Sequence, residues 1–209
     1  KWSFTKYDAL NRPVLTGEVV IADIRDNIAT QFKNFTGTLY ETTGTALYGY
    51  TNQSFPAGYN SSITTDNVLT ATYYDNYDFL SGTDYAYQSN MAGEPASRSV
   101  KTKGLVTGSR TKVLAGGETL AKPMALTVNY YDDYGRVVQT VADNHLEDTS
   151  KEVTHTAYNF AGQPVKTVAE HRKGNTTYQQ TLVTTLAYDH QGRLLTTKMK
   201  INSDNEITL

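Results

Sequence analysis

The sequence lacks cysteine, has a single tryptophan and contains no long apolar run. Without cysteine the chain can form neither disulfides nor thiolate metal sites, although this absence does not identify a compartment. No apolar run approaches the roughly 18 residues that a membrane-spanning helix requires, so we expect no membrane insertion of this stretch. Disulfide scaffolds and helical membrane proteins are therefore excluded as classes.

An excess of charge of one sign is also missing. The 19 basic and 21 acidic residues give a net charge of −2, and they are mixed along the chain without a basic run. Surfaces that bind nucleic acid or anionic membranes need clustered positive charge. We therefore expect no nucleic-acid partner.

Residue patterns typical of catalysis or metal binding are absent as well. The acidic residues at 75–78 and 132–133 lie in turn sequences, where Asp already has a conformational role, and no segment has the spacing of a calcium loop. There is no cysteine nucleophile and no Gly-x-Ser-x-Gly elbow. We expect no enzymatic activity, no cofactor and no metal. The histidines lack ligand spacing, and we expect them to be solvated or locally hydrogen-bonded: His145, His155, His171 and His190.

Tyrosine is abundant. The chain has 16 Tyr against 6 Phe, with 38% hydrophobic and 19% charged residues. This balance suits half-buried β-strands, in which a ring packs while its hydroxyl reaches water, and it fits a folded chain. A chain of 209 residues is long enough for one sizeable domain or two small ones.

One pattern recurs: Tyr-Asp, two variable residues, Gly-Arg, and then an apolar alternation. The clearest copies are 131–140 and 188–197, whereas 158–167 has Asn for Asp and Gln for Arg, and 7–16 has Asn for Gly. The positions that define the pattern are Tyr7, Asp8, Asn11, Arg12, Tyr131, Asp132, Gly135, Arg136, Tyr158, Asn159, Gly162, Gln163, Tyr188, Asp189, Gly192 and Arg193. We interpret each copy as a β-hairpin.

Turn chemistry explains the residue types. Asp or Asn at the first loop position can accept a hydrogen bond from the backbone N–H two residues on. The fourth position needs a positive φ, which favours Gly and, in the first copy, Asn11. The Arg that follows could lie over the Tyr ring of its own hairpin or pair with the Asp, each contact being worth about 0.5–1 kcal/mol.

These residues resemble the bacterial YD-repeat family, also called Rhs repeats. The resemblance implies hairpins that spiral into a β-shell around a C-terminal, often toxic, domain in a large secreted or cell-surface protein. This sequence departs from the family in the long stretch between the copies at Tyr7 and Tyr131, and it contains no Asp-Pro dipeptide of the family's self-cleaving motif. We expect it to be an N-terminal repeat fragment of such a protein.

The fold class expected is all-β and mainly antiparallel, a curved sheet of consecutive YD-repeat hairpins with one α-helix near 21–35. The helix is predicted from apolar residues at helical spacing, and we expect it to pack on a sheet face or cover an open end. Segment 68–79 is a weaker fifth copy, in which Asp78 replaces Gly, Phe79 replaces Arg, and no return strand is assigned. We divide the chain into 1–121 and 122–209, which share one sheet.

Two functions follow as expectations. The first is a non-enzymatic structural segment of a β-shell whose partner is the remainder of the same polypeptide, including a C-terminal cargo domain. The alternative is a carbohydrate-binding cell-surface module in which exposed tyrosines stack on sugar rings and glycans are the partner. The tyrosines of that alternative are Tyr48, Tyr50, Tyr59, Tyr73, Tyr77, Tyr85 and Tyr87.

Overall fold

The computed structural model describes residues 1–57, 63–82, 84–114, 123–144, 150–173 and 177–209. Strands dominate them, together with one α-helix and a single 3₁₀ turn at Thr65–Asn67. The elements in chain order are β1 (Trp2–Tyr7), β2 (Pro13–Val19), α1 (Arg25–Asn34), β3 (Thr43–Leu47), β4 (Val68–Tyr74), β5 (Val106–Lys112), β6 (Met124–Tyr131), β7 (Val137–Asp143), β8 (Lys151–Tyr158), β9 (Pro164–Lys173), β10 (Thr177–Tyr188), β11 (Leu194–Ile201) and β12 (Ile207–Thr208).

Eleven of these strands are hydrogen-bonded in the order β1-β2-β4-β5-β6-β7-β8-β9-β10-β11-β12. The pairs β1–β2 and β2–β4 are antiparallel, and so is every pair from β6–β7 to β11–β12. The prediction of a mainly antiparallel β fold with one α-helix is confirmed. In the four repeat hairpins, the two strands pair because a short turn returns the chain beside itself.

The chain divides into two compact units. The first comprises Lys1–Tyr73 and Ser109–Leu114, and the second comprises Tyr74–Gly108 and Ala115–Leu209. Strand β5 contributes residues to both. The predicted boundary near residue 122 lies outside the described residues.

The first unit buries an ion pair beside its aliphatic core. The Lys6 Nζ donates to a Glu41 carboxylate oxygen at 2.7 Å, to the Asn52 side chain at 2.8 Å and to the Ser54 carbonyl at 2.9 Å. Both charged side chains are fully buried. Burial lowers the pKa of Lys6, and hydrogen bonds from Lys6 and its neighbours outweigh burial and lower the pKa of Glu41. The buried apolar residues of this unit include Val14, Leu15, Leu47, Val68 and Ala71.

The helix forms where the apolar periodicity predicted it, but it is shorter than 21–35 and its packing was predicted wrongly. None of the residues in α1 is buried. Instead, the rings of Phe32 and Phe35 contact the edge of Phe55 at centroid distances of 5.4 and 5.8 Å. No helix in the described part of the chain is long and apolar enough to cross a membrane.

In the second unit, one face of β6–β9 is buried. The register places Tyr130 opposite Gln139, Gln139 opposite His155 and His155 opposite Val168, so these side chains share a face. We call it the covered face. Its buried apolar members are Met124, Leu126, Val128, Tyr130, Val141, Val153, Ala157 and Val168.

The buried pair in the first unit yields a stability prediction. Glu41→Gln leaves the Lys6 ammonium buried without its counter-charge, so we expect it to lower the free energy of unfolding by about 3 kcal/mol in urea denaturation. The matched control is Glu18→Gln, whose partner Lys1 is largely exposed, and it should change stability by less than about 0.5 kcal/mol. Equal effects from the two variants would contradict a structural role for the buried pair.

Candidate functional site

The repeated turn is built around one carboxylate. Asp132 Oδ1 accepts hydrogen bonds from the backbone N–H of Tyr134 at 2.9 Å and of Arg136 at 3.0 Å, and its Oδ2 accepts from the Arg136 Nε at 2.7 Å. The same three contacts recur at 2.7–2.9 Å in two other copies: Asp8 with Leu10 and Arg12, and Asp189 with Gln191 and Arg193. Of the two roles open to this Arg, pairing with Asp is therefore the one seen in all three charged copies.

Backbone bonds close the turn. The Asp132 N–H donates to the Arg136 carbonyl at 3.0 Å, and the Gly135 N–H donates to the Asp132 carbonyl at 3.1 Å. The fourth position has a positive φ in every copy, as turn chemistry predicts. The values are 61° for Asn11, 76° for Gly135, 84° for Gly162 and 79° for Gly192.

The third copy replaces the charged pair with two amides. The Asn159 Oδ1 accepts from the Gln163 backbone N–H at 2.9 Å, and the Asn159 Nδ2 donates to the Gln163 Oε1 at 2.9 Å. Asn has nearly the shape of Asp but also carries an NH₂ donor, and Gln, unlike Arg, has an amide oxygen that can accept from it, so the two positions change together and keep the contact. In the charged copy at Asp189, the Arg193 backbone N–H and then its guanidinium lower the pKa of the carboxyl group.

Each hairpin carries a β-bulge that sequence reasoning missed. Tyr131 pairs with Val137, but the preceding Tyr130 pairs with Gln139, so Val138 is the extra residue. The other hairpins shift at the same position. The extra residue is aliphatic in every copy, and that recurring aliphatic was the available sequence signal: Val14, Val138, Val165 and Leu195.

The motif tyrosine ties its hairpin to the preceding strand. The hydroxyl of Tyr158 donates to the Val137 carbonyl at 2.9 Å. Equivalent bonds join Tyr131 to Val106 at 2.6 Å and Tyr188 to Pro164 at 2.9 Å. Burial raises the pKa of Tyr131 and of Tyr158, which keeps both hydroxyls protonated as donors.

The arginine also contacts the following repeat. The Arg136 guanidinium lies over the Tyr158 ring at 4.8 Å, and its Nη1 donates to the Asn159 carbonyl at 3.2 Å. The same guanidinium also lies over the ring of Tyr134, in its own turn, at 4.9 Å. Neither of the two rings is that of Tyr131, which ends its own outgoing strand and was the alternative considered from the sequence. The copy at 131–140 therefore makes both a tyrosine bond backward, from Tyr131 to Val106, and a cation contact forward, from Arg136 to Tyr158.

The fifth copy closes its turn in a way the sequence did not reveal. Asp75 donates its N–H to the Leu105 carbonyl at 3.1 Å, and its carboxylate accepts from the Gly104 N–H at 2.6 Å. Gly104 has a φ of 83°. Thus Gly104 and Leu105 occupy the places that the sequence alignment gave to Asp78 and Phe79, and β5 is the return strand. We call residues 76–82 and 84–103, which lie between the two halves of this turn, the inserted loop.

The inserted loop contains three of the tyrosines proposed to bind sugars, and each of them makes contacts within the fold. The Tyr77 hydroxyl donates to the Asn129 carbonyl at 2.8 Å, Tyr85 to Asp143 at 2.7 Å and Tyr87 to Pro95 at 2.6 Å. The Tyr77 ring stacks on Tyr130 at 4.8 Å, and the Tyr87 ring meets the same side chain edge-on at 5.4 Å. None of Tyr77, Tyr85 and Tyr87 is exposed.

The other proposed sugar-binding tyrosines lie in the first unit. Tyr73 is buried and donates to the Tyr48 carbonyl at 2.6 Å. Tyr50 stacks on Tyr73 at 5.8 Å and donates to the Thr72 carbonyl at 2.6 Å. Tyr59 lies outside the described residues. The expectation of exposed rings was therefore wrong for the six tyrosines that the structure describes.

The covered face contains a charged cluster that sequence reasoning missed. His155 is completely buried, with its Nδ1 2.8 Å from Glu94 Oε1 and its Nε2 3.7 Å from Glu170 Oε2. The Arg172 Nη2 contacts Glu170 at 2.6 Å. The expectation of a solvated or locally bonded histidine was wrong here, because Glu94 is distant in sequence. The described residues contain no group of three or more His, Cys, Asp or Glu arranged to hold a metal.

The turn geometry makes a prediction at Gly135. A Cβ there has space, with the Leu105 Cδ1 4.0 Å away, so substitution tests only the positive φ. We expect Gly135→Ala to lower the free energy of unfolding by about 1 kcal/mol, and Gly135→Asn to lower it by roughly half as much, because Asn tolerates this conformation. Thermal and urea denaturation measure both. Equal effects of Ala and Asn would reject the conformational explanation.

The third copy suggests a double-mutant cycle in the second. Asp132→Asn places an amide NH₂ against Arg136, whereas adding Arg136→Gln recreates the Asn159–Gln163 arrangement. We expect each single variant to cost about 1–2 kcal/mol, and the double variant to cost about 1 kcal/mol less than their sum. Arg136→Gln removes the stacking on Tyr158 in the single and in the double variant alike, so this loss cancels in the coupling energy. Additive urea-unfolding energies would show that the pair is not coupled.

Comparison with known proteins gave no match to a family model, a curated protein or a solved structure. The interpretation of the chain as a repeat protein is therefore carried by its own residues and by the turn geometry that they share.

Proposed function

We propose that this chain is a non-enzymatic structural segment of a large secreted or cell-surface protein of the YD-repeat type. Its consecutive hairpins form part of the wall of a β-shell, which encloses or supports another part of the same polypeptide. The observation that carries the proposal is the recurrence of one turn, with the same carboxylate contacts, at Asp8, Asp132 and Asp189.

The contacts between hairpins supply the mechanism. A wall must extend by adding identical units, and each unit needs a backward and a forward contact. The tyrosine hydroxyl bonds to the preceding strand and the arginine stacks on the next tyrosine, as Tyr158 and Arg136 do. Because an isolated hairpin is marginally stable in water, such links let neighbouring hairpins stabilise one another.

The placement of polar residues also favours a structural role. The carboxylates of the repeated turns are engaged by backbone N–H groups and by arginine, and the buried Glu41 by Lys6, Ser54 and Thr51. Such fully paired groups stabilise a fold and are not positioned for attack on a substrate. The function that follows is steric, since the wall separates what it encloses from its surroundings.

A test uses the full-length product of the gene that encodes this sequence. Electron cryomicroscopy should show residues 1–209 within a continuous wall, with neighbouring hairpins on both sides and a separate segment inside. In limited proteolysis the enclosed segment should resist cleavage in the wild type and become cleavable when Gly135→Val and Gly162→Val open the wall. Ala161→Val places the same valine side chain at an exposed turn position and is the control.

Two results would overturn the proposal. One is a reconstruction in which residues 1–209 stand apart as an isolated domain. The other is an enclosed segment that is cleaved equally in the wild type, the opened variant and the control.

A further inference from the structure

The inserted loop is attached to the covered face mainly by polar side chains. Glu94 reaches His155 at 2.8 Å, and the Gln88 N–H donates to the Gln139 side chain at 3.1 Å. On the N-terminal side of these contacts, the Tyr85 hydroxyl donates to Asp143 at 2.7 Å. The described residues of this loop form no strand or helix. Its backbone joins the sheet through the Ser99 N–H, which donates to the Tyr131 carbonyl at 2.7 Å, and not through a ladder of such bonds.

Glu94 is the central attachment. Its carboxylate accepts backbone N–H bonds from Met91 at 3.1 Å, Ala92 at 2.7 Å and Gly93 at 2.9 Å, so it folds its own segment around itself. This brings the Ala92 methyl group onto Ala157 and Val168 in the buried cluster. One ionised carboxylate therefore orders the segment and fastens it to His155.

A second charged cluster holds the other half of the loop. The Lys151 Nζ lies 2.6 Å from Asp143 and 3.0 Å from the Tyr85 hydroxyl, and both Lys151 and Asp143 are almost fully buried. The titratable and charged groups that face the loop come from every strand of the covered face and from the turn after β6. In that turn Asp133 accepts from the Ser99 hydroxyl at 2.6 Å and from the Lys101 Nζ at 2.9 Å. The groups on the strands are Tyr130 on β6, Asp143 on β7, Lys151 and His155 on β8, and Lys166, Glu170 and Arg172 on β9.

We propose that residues 76–82 and 84–103 are an acid-released strap, fastened by Glu94–His155–Glu170 and by Tyr85–Asp143–Lys151, which uncovers the apolar face of β6–β9 when the carboxylates are protonated. The turn that bounds the strap stays closed by Asp75, Gly104 and Leu105. The strap can therefore lift without unpairing a strand. The inference is independent of the shell function.

The direction of the pH effect follows from the carboxylates. Burial raises the pKa of Glu94, but backbone N–H bonds and His155 outweigh it, so the pKa is lowered overall. Hydrogen bonds from His155 and Arg172 do the same at Glu170, and Lys151 with a backbone N–H does so at Asp143. A lowered folded-state pKa stabilises attachment above the unfolded-state value, about 4, and the contribution is lost as pH falls through the folded-state pKa.

Hydrogen exchange of the whole chain between neutral pH and about pH 3, corrected for intrinsic rates, tests the proposal. Protection of the strap should fall by about tenfold or more below roughly pH 4 while β7–β9 remain protected. Glu94→Gln should give the same loss already at neutral pH. Glu152→Gln, whose carboxylate bonds His171 away from the strap, is the matched control and should change nothing there.

Tyr85→Phe removes one strap bond without altering any charge, and it should move the release midpoint to higher pH. If Glu94→Gln does not fold, the shift of this midpoint in Tyr85→Phe tests the proposal in its place. The proposal is overturned if strap and strands lose protection together, if a folded Glu94→Gln protects its strap like the wild type, or if Tyr85→Phe leaves the midpoint unchanged. A rise in the fluorescence of an apolar dye that coincides with strap release supports uncovering of the face, and its absence contradicts it.

Discussion

A single acidic side chain that satisfies its own turn is the interaction on which the repeated hairpins depend. Ordering four turn residues costs about 4–8 kcal/mol of backbone entropy. The Asp132 carboxylate offsets much of this cost, because charge-assisted hydrogen bonds contribute about 1.5–3 kcal/mol each and it accepts three. Closing the turn this way fixes the register, and the register places the bulged residues Val14 and Val138 in the core.

The sequence predicted what is local and missed what is distant. Strand class, the four turns, the positive φ at Asn11 and the existence of a helix all depend on residues a few positions apart, which the sequence displays directly. The Gly104 that completes the Asp75 turn, the Glu94 that meets His155 and the carbonyl that receives the Tyr158 hydroxyl become neighbours only through folding. The packing of the helix was predicted wrongly for the same reason, since an apolar stripe does not show which element it will contact.

Buried charges have different roles in the two units. Lys6 donates its three bonds to Glu41, Asn52 and Ser54, so the pair is fully satisfied within one core. Replacing such a pair with apolar residues is often neutral in stability, whereas removing one partner is costly, so its effect is to enforce one arrangement. His155 acts between segments instead, because it joins the sheet to the inserted loop.

The turn also explains how the chain accommodates a long insertion. In the uninterrupted copies, the carbonyl of the fifth turn residue, such as Arg136, accepts from the backbone N–H of the first, such as Asp132. In the interrupted copy the Leu105 carbonyl accepts from the Asp75 N–H in the same way, although the inserted loop lies between them. Because the closing bonds join only the two ends, the number of residues between them affects the entropy of closure weakly. The turn therefore does not hold the inserted loop itself in place. Charged pairs on the covered face do so, because the loop forms no strand that could pair with the sheet.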